Sequence, residues 1–450
     1  MKPIPSTYFF SNLDLRKLII PLILEQILSI TLGVADTIMV SSVGEAAVSG
    51  VSLVDMVNVV VINIFAALAT GGAVITAQFL GRKRQDLACK SAGQLLLIVL
   101  GISVLLSVVM VLLRTPLLRL LFGSIEEDVM RNSLTYLVIS AYSYPFVALY
   151  NACAALFRSM GNAKVSLKTA LLMNIVNVGA NALLIFGFQM GVAGAALGSL
   201  FARFVSAAVM LYLITKPSDM VYVRRSIRSF IPDGRLMANI LRIGIPNGFE
   251  NSLFQLGRVL VVSIIAVFGT TQIAANAVAN NIDGLACVPG QAMSLAMITV
   301  VGRCIGARDF EQAVYYIKKL LKITYMIMGI LIICILTSLP LILKAYNLSP
   351  ETLRLARMLI MIHNGCAMLI WPLAFTLPNA LRAASDVRYT LVVAVFSMAA
   401  FRILLSYVLG WNFGLGAVGV WIAMIADWVF RAAFFVWRAA SGKWKDKCFL

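Results

Sequence analysis

Twelve long apolar runs divide this chain of 450 residues. Each run has about 20 residues or more, which is the length that an α-helix needs to cross a bilayer. The runs lie near 18–42, 51–80, 93–113, 131–157, 165–187, 192–215, 239–268, 275–302, 318–343, 353–381, 388–411 and 416–438. They are too long for barrel strands and lack the alternation of barrel strands. Because a spanning backbone must satisfy its own hydrogen bonds, the runs predict an all-α integral membrane protein with 12 transmembrane helices.

The composition and the distribution of charge agree with that prediction. Hydrophobic residues make up 61% of the chain and charged residues only 12%, against about a quarter in soluble domains. The net charge of +18 could indicate nucleic-acid binding. However, if the N-terminus is cytoplasmic, 27 of the 37 Lys and Arg residues fall on the cytoplasmic side. This bias predicts a multi-pass protein of the inner (cytoplasmic) membrane, in contact with lipid, with both termini cytoplasmic and no nucleic-acid partner.

The second half of the chain repeats the first. A shift of 225 residues places Pro21 on Pro246, Glu25 on Glu250, and Gly44 on its counterpart Gly269. Six spans in each half give both halves the same orientation, which is the arrangement of transporters with parallel repeats related by a pseudo-twofold axis. The predicted parts are an N-terminal six-helix lobe (1–216), a cytoplasmic connector (217–238) and a C-terminal six-helix lobe (239–450).

Ionisable and amide residues within the spans are the first candidates for function, since charge is expensive in a bilayer. Glu25 and Asp36 are eleven residues apart, so they lie within about 20° on one face of the first span. Asn174, Asn177 and Asn181 form a stripe on the fifth span. We predict that Glu25 and Asp36 form a path for H⁺ or Na⁺ and that the amide stripe lines a cavity. The alternatives are a solvated Asp36 and amides that only join helices.

A second set of polar residues is expected to line a substrate cavity. Asp55 and Asn58 on the second span map onto Asn280 and Asp283 on the eighth. These four residues could instead lie near the outer membrane–water interface, in contact with water. Methionines would offer soft contacts to a flat cation. The predicted substrate-cavity residues are Asp55, Asn58, Asn174, Glu250, Asp283, Met173 and Met293.

Other charged residues within the spans are open to structural interpretations. Arg258 lies two turns after Glu250 and could either neutralise it or contact substrate. Asp427 and Arg431 are four residues apart, which predicts an ion pair within one helix. His363, the only histidine, is expected to be a hydrogen-bonded packing residue.

Motifs for several other functions are not found in the sequence. The seven cysteines include no CxxC pair, so neither a disulfide framework nor a metal site is predicted. The sequence has no GxxxxGK[ST] motif for ATP, no DDxxD-like cluster for a prenyl transferase and no repeated filter loop of a channel. We therefore predict a transporter that is not an enzyme, with no catalytic residues and no cofactor.

Four segments resemble the multidrug and toxic-compound extrusion (MATE) family. They are Pro21 to Gly44 with its ADTIMV core, Gln78 to Gly81, Phe157 to Asn162, and Leu381 to Ala384. The resemblance covers about residues 15–440. It implies an efflux pump that exchanges cationic or amphipathic small molecules for H⁺ or Na⁺ by alternating access, with Asp36 at the family's coupling position. A monomer is expected.

The chain departs from two branches of that family. One branch places an Asn and an Asp four residues apart on the fifth span, and Asn177 and Asn181 match these positions, so the resemblance implies that they join Asp36 in cation coupling although the second acid is missing. Trp371 stands where another branch has an acid. Glu250 also lies about one turn before the acid of that second branch. Glu25 is our candidate to replace a missing acid. A lipid-linked oligosaccharide flippase or a dedicated metabolite exporter of the same superfamily is the alternative function, although the acids and amides favour a cationic or neutral substrate.

Overall fold

The computed structural model describes residues 9–123, 126–223, 230–346 and 348–447. Over these ranges, twelve helices are long and apolar enough to cross a membrane. They are α1 (Asn12–Ser41), α2 (Glu45–Gly81), α3 (Gln85–Leu112), α4 (Glu127–Ser159), α5 (Ala163–Gly187), α6 (Gly191–Ile214), α7 (Gly234–Ala266), α8 (Thr270–Gly306), α9 (Phe310–Lys344), α10 (Pro350–Ala383), α11 (Val387–Asn412) and α12 (Gly416–Ser441). The predicted all-helical membrane fold with 12 spans is confirmed.

Several sequence predictions fall outside the described residues. They concern the basic residues Lys2, Arg224, Arg225 and Arg228 and the cysteine Cys448. The predicted connector is described on both sides of residues 224–229.

The α1 and α9 helices begin before their apolar runs, at polar caps. The α9 helix starts at Phe310, eight residues before the predicted span, and the Asp309 side chain accepts a hydrogen bond from the Gln312 amide. At α1, Ser11 and Asp14 exchange the two hydrogen bonds of a capping box. Hydropathy records only the part of a helix that lies in hydrocarbon, so it underestimates helices with capped polar ends.

The turns between helices repeat in the two halves. Positions 225 residues apart share the left-handed backbone: Gly44 and Gly269 (φ 132° and 99°), Lys83 and Arg308 (both 59°), Gln189 and Gly414 (54° and 67°), and Gly191 and Gly416 (both 56°). Glycine adopts this conformation without steric cost, whereas Lys83 and Arg308 adopt it with a Cβ. The internal repeat therefore extends to backbone conformation.

The chain forms two compact units, Met1–Gly248 and Phe249–Leu450. In the first, α2 packs against α3 and α4, and Val54 and Leu137 are fully buried. In the second, α8 packs against α9 and α10, and Met328 is fully buried in a core that includes Trp421. The lobe boundaries at 216 and 239 stay a prediction.

Short π-helical stretches widen three of the spans. They lie at Leu183–Gly187 in α5, at Pro372–Thr376 in α10, and at Met398–Leu405 and Val408–Asn412 in α11. Pro372 has no amide hydrogen to donate, which loosens the preceding turn. Such bulges often mark functional positions, and the one at Met398–Leu405 contains the buried Arg402.

Candidate functional site

A small polar cavity lies among α1, α2, α4, α5 and α6 of the first unit. Its volume is about 110 Å³, and Asp36, Asp55, Tyr136, Asn181 and Arg203 line it. A cavity of this size holds a few waters or an ion but not a drug-sized molecule. From the sequence, Asp36 was predicted to couple transport to an ion and Asp55 to line a substrate cavity. The structure brings both carboxylates to this one cavity.

A hydrogen-bond chain connects Asp36 to two other helices. Asn181 Nδ2 donates to Asp36 Oδ1 at 2.8 Å and to Asn177 Oδ1 at 3.1 Å. Asn177 Nδ2 in turn donates to Ser199 Oγ at 3.0 Å. The chain thus joins α1, α5 and α6 through three of the four residues predicted for coupling.

Gly198 makes this chain possible by letting α6 approach α5. A Cβ at Gly198 would lie 2.0 Å from Asn181 Oδ1 and 2.9 Å from the Asn181 backbone nitrogen. Real Cβ atoms do not approach other atoms so closely, so only glycine fits here without displacing Asn181. Asn181 Oδ1 itself is buried and has no hydrogen-bond partner among the described residues.

Asp55 belongs to a second chain of polar contacts at the same cavity. Asn58 Nδ2 donates to Asp55 Oδ1 at 3.2 Å, and the Tyr144 hydroxyl donates to Asn58 Oδ1 at 2.9 Å. Arg203 donates to Ser143 Oγ at 2.6 Å. The cavity therefore combines two carboxylates with one guanidinium group.

Glu25 lies elsewhere on α1. It accepts from Arg158 Nη1 at 3.1 Å and from Ser166 Oγ at 2.7 Å. Eleven residues of helix separate it from Asp36 by about 16 Å along the axis. The structure therefore does not bring Glu25 into the Asp36 cavity, and its predicted coupling role stays a prediction.

Three other predicted residues also lie apart from the Asp36 cavity. Asn174 Nδ2 donates to the Leu28 carbonyl at 2.9 Å and so joins α5 to α1. Met173 is half-buried and lines neither described cavity, and Met293 is fully buried. These contacts favour packing at all three positions.

A larger cavity of about 400 Å³ lies in the second unit. It is formed by α7, α8, α10, α11 and α12, and two of the predicted substrate-cavity residues, Glu250 and Asp283, line it. Four arginines line it as well: Arg258, Arg382, Arg402 and Arg431. The acids and amides predicted from sequence are thus an incomplete description of this cavity.

Glu250 pairs with Arg382, not with Arg258 as one interpretation of the sequence expected. Arg382 Nη2 lies 2.7 Å from Glu250 Oε1. Arg258 follows two turns later on the same helix, about 12 Å along the axis, which is out of range. The Glu250–Arg382 pair repeats the Glu25–Arg158 pair of the first unit.

The predicted ion pair on α12 is confirmed. Arg431 Nε lies 2.9 Å from Asp427 Oδ1. The pair is part of a buried cluster, since Arg402 Nη1 lies 3.5 Å from Asp427 Oδ2 and Ser397 Oγ donates to Asp427 Oδ1. Residues from α11 that the sequence did not link to Asp427 complete the cluster.

His363 packs in the second unit as expected, but neither of its ring nitrogens makes the expected hydrogen bond within the described residues. It is fully buried, and the Trp421 and Trp428 rings meet it edge-on at 4.9 and 4.6 Å between ring centroids. Its Nδ1 lies 2.8 Å from Asp283 Oδ1. Over the described ranges, no group of three or more His, Cys, Asp or Glu side chains is arranged to hold a metal ion.

Several lining residues were not assigned to a site from the sequence: Arg203, Tyr136 and Ser199 in the first unit and Arg382, Arg402 and Arg431 in the second. A signal was available for four of them, because Arg203, Arg402 and Arg431 are charged residues inside spans and Arg382 lies in a recognised motif. Tyr136 and Ser199 have no such signal, since tyrosine and serine are common in membrane helices.

The twofold helical fold is that of a known class of membrane transporters. A profile of the MatE family matches residues 21–183 and 246–408, one match in each half. The chain therefore belongs to the MatE family, as the resemblance of its motifs predicted.

Individual proteins are similar to this chain over nearly its whole length. The chain is 26% identical over 446 residues to a probable multidrug resistance protein NorM of Thermotoga maritima, covering 97% of this chain and 94% of that protein. A multidrug resistance MATE family transporter of the MOP superfamily, solved in an outward-facing conformation, superposes with a TM-score of 0.88 at 20% identity over 96% of both chains.

A second solved structure has the same fold. A MOP superfamily transporter from Pyrococcus furiosus superposes with a TM-score of 0.87 at 20% identity, over 95% of this chain and 96% of that chain. Its binding pocket is described as having reverse polarity, which is said to suggest a different function. At these identities, the solved structures show the fold alone.

Proposed function

We propose that this protein is a secondary active transporter that exports cationic or amphipathic small molecules in exchange for H⁺ or Na⁺. The observation that carries the proposal is the hydrogen-bond chain from Asp36 through Asn181 and Asn177 to Ser199. Membership of a transporter family and relatives named as multidrug resistance proteins support it.

The Asp36 cavity offers a way to sense either ion. A proton on Asp36 removes the charge that strengthens the hydrogen bond from Asn181, so the link between α1 and α5 weakens. A sodium ion would instead find oxygen ligands in Asp36, Asp55 and the Asn181 Oδ1 atom, which has no partner among the described residues. Both ions therefore act on the contact between α1 and α5.

A change at this contact would be passed along α1. Pro21 lies inside the helix and interrupts its hydrogen bonding, so it is the natural point for α1 to change its bend. In the proposed cycle, ion binding at Asp36 shifts α1 and favours release of substrate on the outer side. The two lobes would then alternate access to the cytoplasm and the outside.

We further propose a monomer in the cytoplasmic membrane with both termini cytoplasmic. The basis for the orientation is the distribution of Lys and Arg along the sequence. A fusion of green fluorescent protein to the C-terminus should fluoresce, and a periplasmic alkaline phosphatase fusion should be inactive. The reverse pattern would contradict the orientation.

A dedicated metabolite exporter is the second candidate function. The four arginines that line the cavity of the second unit favour it, because they do not suit a cation. A substrate of metabolic origin with an acidic group would fit them better than a cationic drug.

The main test measures efflux of ethidium from cells or vesicles with a proton gradient and a sodium gradient imposed separately. Asp36→Asn should abolish the efflux that one gradient drives. Glu45→Gln is the matched control, since Glu45 is an exposed acid at the start of α2 that does not line the cavity. Equal transport by wild type and Asp36→Asn under both gradients would exclude the proposed coupling role.

Glu25→Gln tests the remaining sequence prediction. If Glu25 replaces a missing coupling acid, this variant should lose the dependence of efflux on pH or sodium. Unchanged transport would leave Glu25 as a structural partner of Arg158.

A further inference from the structure

The charge in the cavity of the second unit is dominated by arginine. Glu250 pairs with Arg382, and Asp427 pairs with Arg431 and Arg402. Asp283, the remaining carboxylate of the lining, has His363 at 2.8 Å. Within the described residues, four guanidinium groups thus meet three carboxylates, and the surplus charge is positive.

Arg258 is the arginine that carries this surplus. It lines the cavity and is exposed, and no carboxylate of the described residues lies within ion-pair distance of it. A guanidinium group offers five N–H donors in a planar fork that matches a carboxylate, sulfonate or phosphate.

Buried donors in the same lining also lack acceptors. Arg402 is only 5% exposed and Arg382 8%, and the Nε atom of each has no hydrogen-bond partner among the described residues. The same holds for the indole Nε1 of Trp428. Such groups can only donate, and leaving them unsatisfied is costly. An anionic ligand would bring acceptor oxygens to this donor-rich lining, whereas a cation would not.

Aromatic rings form the apolar part of the cavity. The Arg402 guanidinium group lies 4.7 Å from the centroid of the Phe254 ring, which holds it in place. Trp371 and Phe375 are stacked at 5.1 Å, and Phe375 meets Trp428 edge-on at 5.9 Å. Flat aromatic ligands pack well on such surfaces, and a volume of about 400 Å³ is in the range of small-molecule sites.

We propose that this cavity binds aromatic small molecules with one acidic group, a carboxylate, sulfonate or phosphate. The acidic group lies at Arg258 and Arg402, and the ring packs against Trp371 and Phe375. Glu250 disfavours a second acidic group, because its Oε2 atom is buried without a hydrogen-bond partner among the described residues. This inference concerns binding in the second unit and does not depend on coupling at Asp36.

The test compares two probes of the same size and opposite charge. Binding of naphthalene-2-sulfonate and of naphthyl-trimethylammonium to the full-length protein in lipid nanodiscs is measured by isothermal titration calorimetry. The sulfonate should bind the wild type more tightly than the cation. Tighter binding of the cation, or no measurable binding of the sulfonate, would overturn the proposal.

Two variants locate the site. Arg258→Gln and Arg402→Lys should each weaken sulfonate binding by about tenfold, as expected when one charge-assisted hydrogen bond is lost. Arg357→Gln is the control, since this exposed arginine of α10 does not line the cavity. If both variants bind the sulfonate as tightly as the control does, the assignment of the acidic group to Arg258 and Arg402 is contradicted. If Arg402→Lys does not fold, Arg258→Gln decides alone, because it leaves every described ion pair intact.

The binding test and the transport test fail independently. Sulfonate binding without any effect of Asp36→Asn on efflux would support the anion site and contradict the coupling proposal. Gradient-driven efflux that depends on Asp36, together with equal sulfonate binding by wild type and Arg258→Gln, would support the coupling proposal and contradict the anion site.

Discussion

Arg158 and Glu25 form an ion pair of 3.1 Å that joins the end of α4 to α1. Their counterparts in the second unit, Arg382 and Glu250, form the same pair at 2.7 Å. The two pairs differ in what surrounds them. Ser166 donates to the second oxygen of Glu25, whereas Glu250 Oε2 is buried without a hydrogen-bond partner among the described residues.

Removal of either arginine should destabilise the protein. Arg158→Gln and Arg382→Gln each leave a buried carboxylate without its cation, a loss worth about 3–5 kcal/mol in comparable cases. Arg382→Gln should be the more harmful, because Ser166 still serves Glu25. The measurement is the temperature at which each purified variant loses its monodisperse peak in size-exclusion chromatography.

Double variants test the cause of that loss. Glu25→Gln with Arg158→Gln, and Glu250→Gln with Arg382→Gln, remove both charges and should recover part of the lost stability. Single variants as stable as the wild type would show that the pairs contribute no net stability.

Gly198→Ala should disrupt the coupling network without unfolding α6. The new Cβ would lie 2.0 Å from Asn181 Oδ1 and so displace the amide that bonds Asp36. Gradient-driven efflux should fall at least as far as in an Asn181→Ala variant. Gly179→Ala on α5 is the matched control, since a Cβ there meets nothing within 4 Å. Equal efflux in both glycine variants would exclude the tight approach of α5 and α6.

Asp427→Asn should be among the most destabilising substitutions of the second unit. Asp427 is fully buried, and both Arg402 and Arg431 depend on its charge. The expected loss is about 3–5 kcal/mol, measured as the midpoint of chemical unfolding. Asp128→Asn serves as the control, because its ion pair with Arg131 is about 70% exposed and such pairs contribute roughly 0–1 kcal/mol.

Asp233 should make the contact between the start of α7 and α3 sensitive to acid. The Lys90 ammonium group, at 2.6 Å, lowers the pKa of Asp233 below its ordinary value of 3.8, and the Leu236 amide adds to this. Because the folded-state pKa is lowered, the contact is fully present above pH 3.8 and is lost as the pH falls through the lower folded value. Lys90 and Asp233 are partly exposed, so the effect is local.

Hydrogen exchange at the start of α7 measures this effect. Asp233→Asn should speed exchange of the Leu236 amide at neutral pH, since the aspartate accepts its hydrogen bond at 3.1 Å. Asp219→Asn, at another acid of the predicted connector, should leave that exchange unchanged. Identical exchange in the wild type and Asp233→Asn would contradict the capping role.

Much of the coupling site could be predicted from sequence because it follows helical spacing. Asn177 and Asn181 lie one helical turn apart, and side chains at that spacing are neighbours on one face, so a hydrogen bond between them could be predicted. The same spacing put Glu25 and Asp36 on one face, yet the structure gives them different partners. Spacing gives the direction in which a side chain points and does not identify the helix it meets.

The positions and number of the membrane helices were determined by the sequence alone, as was their twofold order. Burial of a span in lipid depends only on its own 20 or so residues, so local hydropathy is sufficient. The turns repeat for the same reason, since glycine at positions such as Gly191 and Gly416 sets the backbone locally.

The partners of the charged residues were decided only by the tertiary structure. Asp36 meets Asn181 across 145 residues, and Glu250 meets Arg382 across 132. Arg402 and Asp427 likewise come together from different helices. The free energy of a buried charge depends on the few groups within about 4 Å of it. Those groups come from helices distant in sequence, so no local pattern specifies them.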